Sequence, residues 1–240
     1  EIGSDQIELL VRARYPVLYI VSWEEARVEQ HLQAIAARRN KQLLVWSVTE
    51  GLREASTLPG HAGAQTPGKK RSATDPMEAL DAVIQNKEPA IYLFHDLNAF
   101  LRPEICTNRP IIRKVREVAR ALADSYKTLV ICSPLLELAP ELQKDVSVVD
   151  FSLPSGPEIE ALLERIIKDV SQHTSLKIDL SDKGREALVH AAGGLTLQEA
   201  ENVFAKTLVN DGTLNGDDVS TVFAEKQQII RKSGLLEYYE

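Results

Sequence analysis

At 240 residues, 44% of them hydrophobic, the chain is long enough to bury one large core, or a large and a small one. A formal net charge of −7 argues against a surface devoted to coating nucleic acid or anionic membranes, where Lys and Arg supply the binding energy. Cys106 and Cys132 are too few for a disulfide framework or a zinc set, no basic-then-apolar leader precedes the first helix, and no apolar run nears the roughly 20 residues of a membrane span, so a reducing, intracellular compartment is expected.

In chain order, Asp5 with Glu8 three residues on forms a capping box, and Ile7, Leu10, Val11 and Tyr15 give a helical apolar stripe that ends before Pro16. Val17 to Val21 is a short apolar run suited to a strand buried on both faces, and Ser22 caps a helix reaching about Arg39. Residues 43–48 form the second strand, 49–74 a long polar loop, and Asp75-Pro76-Met77-Glu78 opens the next helix. Residues 90–94, 128–132 and 147–151 are the third to fifth strands, with an amphipathic helix over 110–124. Strands alternating with helices predict parallel β-α-β units in a three-layer sandwich. Beyond Pro154, residues 157–172, 181–192, 196–210 and 215–232 carry helical spacing with no strand between them, which predicts a small all-helical domain.

Residues 63–70, GAQTPGKK, miss a phosphate-binding G-x-x-x-x-G-K-[ST] loop only at the last position. That motif works through context: a strand delivers the chain, and a helix begins at once so that its N-terminus faces the anion. Neither is present, because residues 57–61 are no strand and the next helix waits until about Asp75. Lys70 also stands where Mg²⁺ needs a hydroxyl, so a Gly/Pro/Lys loop is the expected reading. The turn after the first strand, Ser22-Trp23-Glu24-Glu25, is where such a loop belongs, yet it has no glycine, no lysine and two carboxylates. Acids in a first helical turn are ordinary dipole partners, and they also count against a triphosphate there.

Residues 91–100, Ile-Tyr-Leu-Phe-His-Asp-Leu-Asn-Ala-Phe, resemble the Walker B segment of AAA+ ATPases; residues 127–133 are similar to the sensor-1 strand, 139–154 to the arginine-finger segment, and 193–202 to the sensor-2 lid helix. Residues 12–16, 126–128, 133–134 and 230–236 resemble a family of AAA proteins encoded in cyanobacterial and red-algal plastid genomes. That family places a degenerate AAA-like module before an intact ATPase domain. The resemblance implies an α/β AAA+-like domain with a five-stranded parallel sheet over 1–153, a four-helix lid over 154–234, and a linker over 235–240. It also implies a homo-oligomer, a hexamer in the family, a cytoplasmic or plastid-stromal location, and ATP with Mg²⁺ bound by the C-terminal ATPase domain of the parent protein.

The departures from that pattern point away from catalysis in this segment. His95 replaces the metal-binding Asp and Asp96 the catalytic Glu; a one-residue shift keeps Asp96 as metal ligand and loses the Glu to Leu97. Glu141, Gln143 and Lys144 occupy the arginine-finger region, and Leu197 or Gln198 the sensor-2 position. No catalytic residue and no cofactor is therefore expected here, with His95 and Asp96 a remnant polar site or a strand-capping pair, and Lys69, Lys70 and Ser133 the remaining candidates for nucleotide contact. His31, His61, His95, His173 and His190 show no paired spacing for zinc, so no metal is expected.

Arg109, Arg113, Arg116 and Arg120 follow steps of four, three and four, placing four guanidiniums on one stripe opposite Ile112, Val115, Ala119 and Leu122. Such a stripe is ordinarily a solvated face; as a site it would dock a protein partner, and the lack of interleaved aromatics makes nucleic acid an unfavoured ligand. The expected function is an assembly or recruitment module for the parent's ATPase domain. The alternatives are an active ATPase in which Lys69 or Lys70 folds back while Asp96 holds Mg²⁺, and a nucleic-acid-binding module using the arginine stripe.

Overall fold

The computed structural model describes residues 2–55, 73–170 and 177–237, which divide into two compact units, Glu1–Ser152 and Leu153–Glu240. In the first unit the elements run α1 (Ile2–Arg12), β1 (Val17–Val21), α2 (Glu25–Arg38), β2 (Gln42–Ser47), β3 (Gly51–Glu54), α3 (Pro76–Gln85), β4 (Ala90–His95), α4 (Arg109–Leu122), β5 (Thr128–Ser133) and β6 (Ser147–Asp150). They form one six-stranded sheet in the order β3-β2-β4-β5-β1-β6, parallel throughout except for β3.

The predicted parallel sandwich is present because the central strands are apolar on both faces. Residues Tyr19, Trp46, Tyr92, Phe94 and Ile131 meet α3 and α4 through Leu80, Val83, Val115 and Leu122. Alternate residues, Ile20, Val45, Leu93 and Val130, meet α1 and α2 through Ile7, Val11, Leu32 and Ile35 on the other face. Trp46 stacks on Phe94 with ring centroids 4.9 Å apart.

Three local expectations are corrected. Helix α1 begins at Ile2, so Asp5 lies inside it and not at the cap position; Glu8, its supposed capping-box partner, accepts from Arg38 at the end of α2 at 2.6 Å and from Arg39 just beyond it at 2.8 Å. Ser22 does not cap α2 either, since its N–H still donates to the Ser133 carbonyl at 3.1 Å and thereby prolongs β1. The helix starts only at Glu25, with the Ser22 hydroxyl accepting from the Glu24 N–H at 3.0 Å. Residues 49–74 are not all loop: a turn led by Gly51, at φ 74°, folds β3 back antiparallel on β2. β3 completes the sheet as a sixth strand, hidden in the sequence because Gly-Leu-Arg-Glu shows no apolar alternation.

β2 also anchors both sides of the following segment. The Ala55 N–H donates to the Leu43 carbonyl at 3.0 Å, and the Trp46 indole N–H donates to the Ala73 carbonyl at 2.8 Å. Asp75 then caps α3 as predicted, accepting from the Met77 and Glu78 N–H groups with Pro76 in the first turn.

The far end of α3 is closed by a buried lysine on β5's approach. Lys127 is 7% exposed and donates to the carbonyls of Val83 at 2.7 Å, Ile84 at 3.1 Å and Asn86 at 2.6 Å. Those are carbonyls that a helix terminus leaves unpaired, and a cation there also opposes the negative end of the helix dipole. Burial pulls the Lys127 ammonium below the ordinary lysine value.

In the second unit α5 (Gly156–Val170), α6 (Asp182–Ala192), α7 (Leu197–Asp211) and α8 (Val219–Glu237) surround Leu163, Leu188, Phe204, Leu214 and Val222. Ser181 caps α6, and Thr196 with Glu199 forms a complete capping box on α7. The unit is not all-helical: β7 (Lys177–Asp179) and β8 (Thr213–Asn215) pair in parallel, Gly212 at φ 74° turning the chain from α7 into β8. Three-residue strands carry too little pattern to stand out from helix flanks. α8 continues past Lys232 to Glu237, so residues 235–237, expected to begin a linker, are helical.

Replacing Lys127 by Met is expected to lower stability by about 2–3 kcal/mol, the cost of stranding buried acceptors, measured by urea denaturation against wild type. A second outcome concerns Glu8, whose carboxyl is held below its ordinary 4.5 by hydrogen bonds from Arg38 and Arg39. A depressed carboxylate stabilises the fold above its unfolded pKa and loses that contribution as pH falls through the folded one. The melting-temperature gap between wild type and Glu8→Gln is therefore expected to favour wild type at pH 7 and to close as the pH drops below about 4.5.

Candidate functional site

In a parallel sheet the strand order reverses where a crevice opens beyond the carboxyl ends, and there ligands collect. Here the chain leaves β1 toward β2 on one side, and leaves β5 toward β6 on the other, so the reversal lies between β1 and β5. The residues arriving at this edge are Ser22, Trp23, Glu24 and Glu25 after β1, His95 and Asp96 after β4, and Ser133 with the following turn after β5.

Backbone hydrogen bonds fix the three strand ends together. The Asp96 N–H donates to the Cys132 carbonyl at 3.0 Å, and the Ser22 N–H to that of Ser133. Asp96 adopts φ 54°, a left-handed conformation in which Asp is better tolerated than most residues, and this turns the chain off β4 into a short 3₁₀ turn over Leu97–Phe100. His95 lies opposite Cys132 in the β4–β5 register and is 9% exposed. Its Nδ1 is buried without a hydrogen-bond partner and stands 3.8 Å from the Glu25 carboxylate on α2.

The neighbouring turn is stitched by other polar groups. Glu24 pairs with Arg27, whose guanidinium also donates to the Ser152 carbonyl at 2.7 Å and stacks 4.5 Å over Phe151. Glu137 receives the Arg102 fork at 2.9 and 2.7 Å and the Asn98 amide at 3.2 Å. The Tyr19 hydroxyl donates to the Leu135 carbonyl and accepts from the Glu137 N–H at 3.4 Å; burial raises its pKa. Burial, then the charges of Glu25 and Asp96, push the Cys132 thiol up to about 12.

Of the residues singled out in the sequence, His95, Asp96 and Ser133 meet at this edge. Ser133 is 2% exposed and its Oγ accepts the Leu135 N–H at 3.3 Å, which makes it a turn residue. Lys69 and Lys70 lie outside the described residues. On α4, Arg109, Arg113 and Arg120 are exposed, but Arg113 pairs with Glu117 at 3.1 Å, and half-buried Arg116 turns to Asp145 at 3.3 Å, so the stripe is partly neutralised. Two features of the turn after β1 were not legible in its sequence. Trp23 is 76% exposed, and Glu25 faces His95, a pairing across 70 positions that only the strand order reveals. Among the described residues, no three His, Cys, Asp or Glu side chains are grouped to hold a metal ion, and no helix is long and apolar enough to cross a membrane.

Residues 3–151 match the N-terminal domain of the SpoVK-like AAA ATPases, and residues 157–233 match the second domain of the same family. The chain belongs to the SpoVK-like AAA ATPase family. Its relatives include the uncharacterized AAA domain-containing protein ycf46 of Trieres chinensis, 31% identical over 98% of the chain, and that of Guillardia theta, 30% identical over 97%. The chain spans 44% and 42% of those two proteins' lengths. Among solved structures, the E. coli MS115-1 HORMA:CdnC:Trip13 complex matches with a TM-score of 0.57 at 15% identity, over 97% of this chain and 87% of that one. The FIGL-1 AAA domain in complex with ADP matches with a TM-score of 0.55 at 12% identity, over 99% and 82%. At such identities the likeness is one of fold, and it places this SpoVK-like chain among AAA+ structures.

Cys132 is wholly buried with a raised pKa while Cys106 is exposed. Iodoacetamide at pH 8 is expected to alkylate Cys106 alone in the folded chain and both cysteines after denaturation, as read by mass spectrometry.

Proposed function

We propose that this chain is a catalytically degenerate AAA+-like module that assembles or recruits partners for an ATPase domain lying C-terminal to it in the parent protein. The observation carrying this reading is the turn after β1. Phosphate binding at this position needs glycines that free backbone N–H groups, a lysine, and a helix starting at the anion. The turn instead holds Ser22, an exposed Trp23, Glu24 closed onto Arg27, and Glu25 beside His95. Two carboxylates at that place oppose a triphosphate.

The His95-Asp96 pair supports the same reading. Phosphoryl transfer relies on carboxylates that hold Mg²⁺ and orient water, and on a guanidinium that neutralises developing charge. His95 is buried, opposite Cys132 in the β4–β5 register, and Glu141 and Lys144 fall in the segment that resembles the family's arginine-finger region. A role in a homo-oligomer, in a cytoplasmic or stromal setting, and the binding of ATP and Mg²⁺ by the parent's other domain, extend the proposal from the family pattern.

A calorimetric titration of the chain with ATP and Mg²⁺, run beside a phosphate-release assay, is expected to show neither binding at millimolar nucleotide nor turnover. Saturable binding accompanied by phosphate release would overturn the degenerate reading.

A further inference from the structure

The amino ends of the strands carry a cluster that neither the core nor the crevice at the opposite edge uses. Arg14 leads into β1, Lys41 into β2 and Tyr126 into β5, so parallel pairing brings three distant segments together there. The Arg14 guanidinium lies 4.3 Å over the Tyr126 ring and donates to its hydroxyl at 2.9 Å, while the Lys41 ammonium donates to the Tyr126 carbonyl at 2.7 Å. One tyrosine thus holds two cations in place, and their other N–H donors are unused among the described residues. Neither cation forms an ion pair among those residues, although the chain carries 35 Asp and Glu against 28 Lys and Arg. Burial, and then the charge of Arg14, pull the Lys41 ammonium below the ordinary lysine value. Helix ends do not account for the pair. Arg14 takes φ 61° in the turn that closes α1, where the Tyr15 N–H donates back to the Leu10 carbonyl at 3.0 Å, a place at which glycine is the favoured residue. A cation near a helix's carboxyl end is an ordinary dipole partner, but the Arg14 and Lys41 side chains are bonded to Tyr126 and not to the last carbonyls of α1 and α2.

We propose that this amino edge docks an acidic segment of a protein partner, one carboxylate bridging Arg14 and Lys41 while the exposed Tyr15 and Tyr126 rings pack against the chain beside it. The edge lies at the other end of the strands from the crevice, so its role holds whether or not the nucleotide site is degenerate. Two neighbouring cations without an internal counter-charge call for an anion, and a carboxylate accepts from both through charge-assisted hydrogen bonds, the stronger kind. Donors whose side chains Tyr126 has already fixed lose little further conformational freedom when they bind. Tyr and Arg are also residue types enriched at protein interfaces. A net charge of −7 opposes the run of phosphates that nucleic acid would bring, whereas one or two carboxylates meet chiefly the local positive field.

The test is an NMR titration of the ¹⁵N-labelled chain with a blocked Gly-Glu-Glu-Gly peptide, its Gly-Gln-Gln-Gly counterpart, and a thymidine trinucleotide of the same charge as the acidic peptide. Millimolar acidic peptide is expected to give saturable shifts in the Arg14 side-chain Nε–H and in the Tyr15, Lys41 and Tyr126 amides, with the Trp23 indole at the opposite edge unmoved. The glutamine peptide and the substitution Lys41→Gln are each expected to weaken binding about tenfold. Arg14→Gly separates docking from mere bracing of the strand ends: glycine suits φ 61°, so the melting temperature is expected to hold while affinity falls about tenfold. No saturable shift with the acidic peptide, an equal response to the glutamine peptide, or undiminished affinity in Arg14→Gly would overturn the proposal. Tighter binding of the trinucleotide than of the acidic peptide would overturn it in favour of a nucleic-acid surface.

Discussion

Parallel pairing is the constraint from which the rest of the first unit follows. Joining β1, β2, β4, β5 and β6 side by side in one direction obliges each link to cross a face of the sheet, and helices are the economical crossover. Both faces are thereby covered, so the strands must be apolar on each side, and every strand delivers its last residue to the same edge. Residues as far apart as Glu25, His95 and Ser133 become neighbours through that rule alone. The opposite edge collects helix C-termini, and it is there that Lys127 neutralises the end of α3.

Much of this was legible because burial on two faces leaves a strong mark. The runs at 17–21, 90–94 and 128–132 are almost uninterrupted apolar segments, and α4 shows its inward stripe at helical spacing. What escaped has physical reasons. β3 is an edge strand with one partner, so nothing demands apolar alternation from Gly-Leu-Arg-Glu. β7 and β8 are three residues each, shorter than any periodicity can register. The start of α2 was misplaced because Ser22 is a favourable cap by type, while its backbone was already committed to β5. At the site, the composition of the turn after β1 was readable, but the approach of Glu25 to His95 depends on which strand lies beside which, and strand order is not written locally.

The carboxyl edge shows how a shared scaffold can reverse its electrostatic preference. Helix N-termini gathered there favour anions, and carboxylates from the chain itself satisfy that demand at no ligand's expense. Glu24, locked to Arg27, is one such internal counter-charge, and Glu25 in the first turn of α2 is another. On the degenerate reading proposed above, these carboxylates take the place at this edge that a bound anion would otherwise fill. Family membership accordingly fixes the framework while the side chains at its rim determine what the framework can hold.

The two hydrogen bonds that tie Ala55 and Ala73 to β2 have a separate consequence for how this protein tolerates variation. Because one strand holds the chain on both sides of residues 56–72, the sheet does not depend on the length of what lies between. Closing a longer connection costs only about 0.6 kcal/mol per doubling, so these two bonds, rather than a fixed chain length, set where the chain leaves β3 and where it returns ahead of α3.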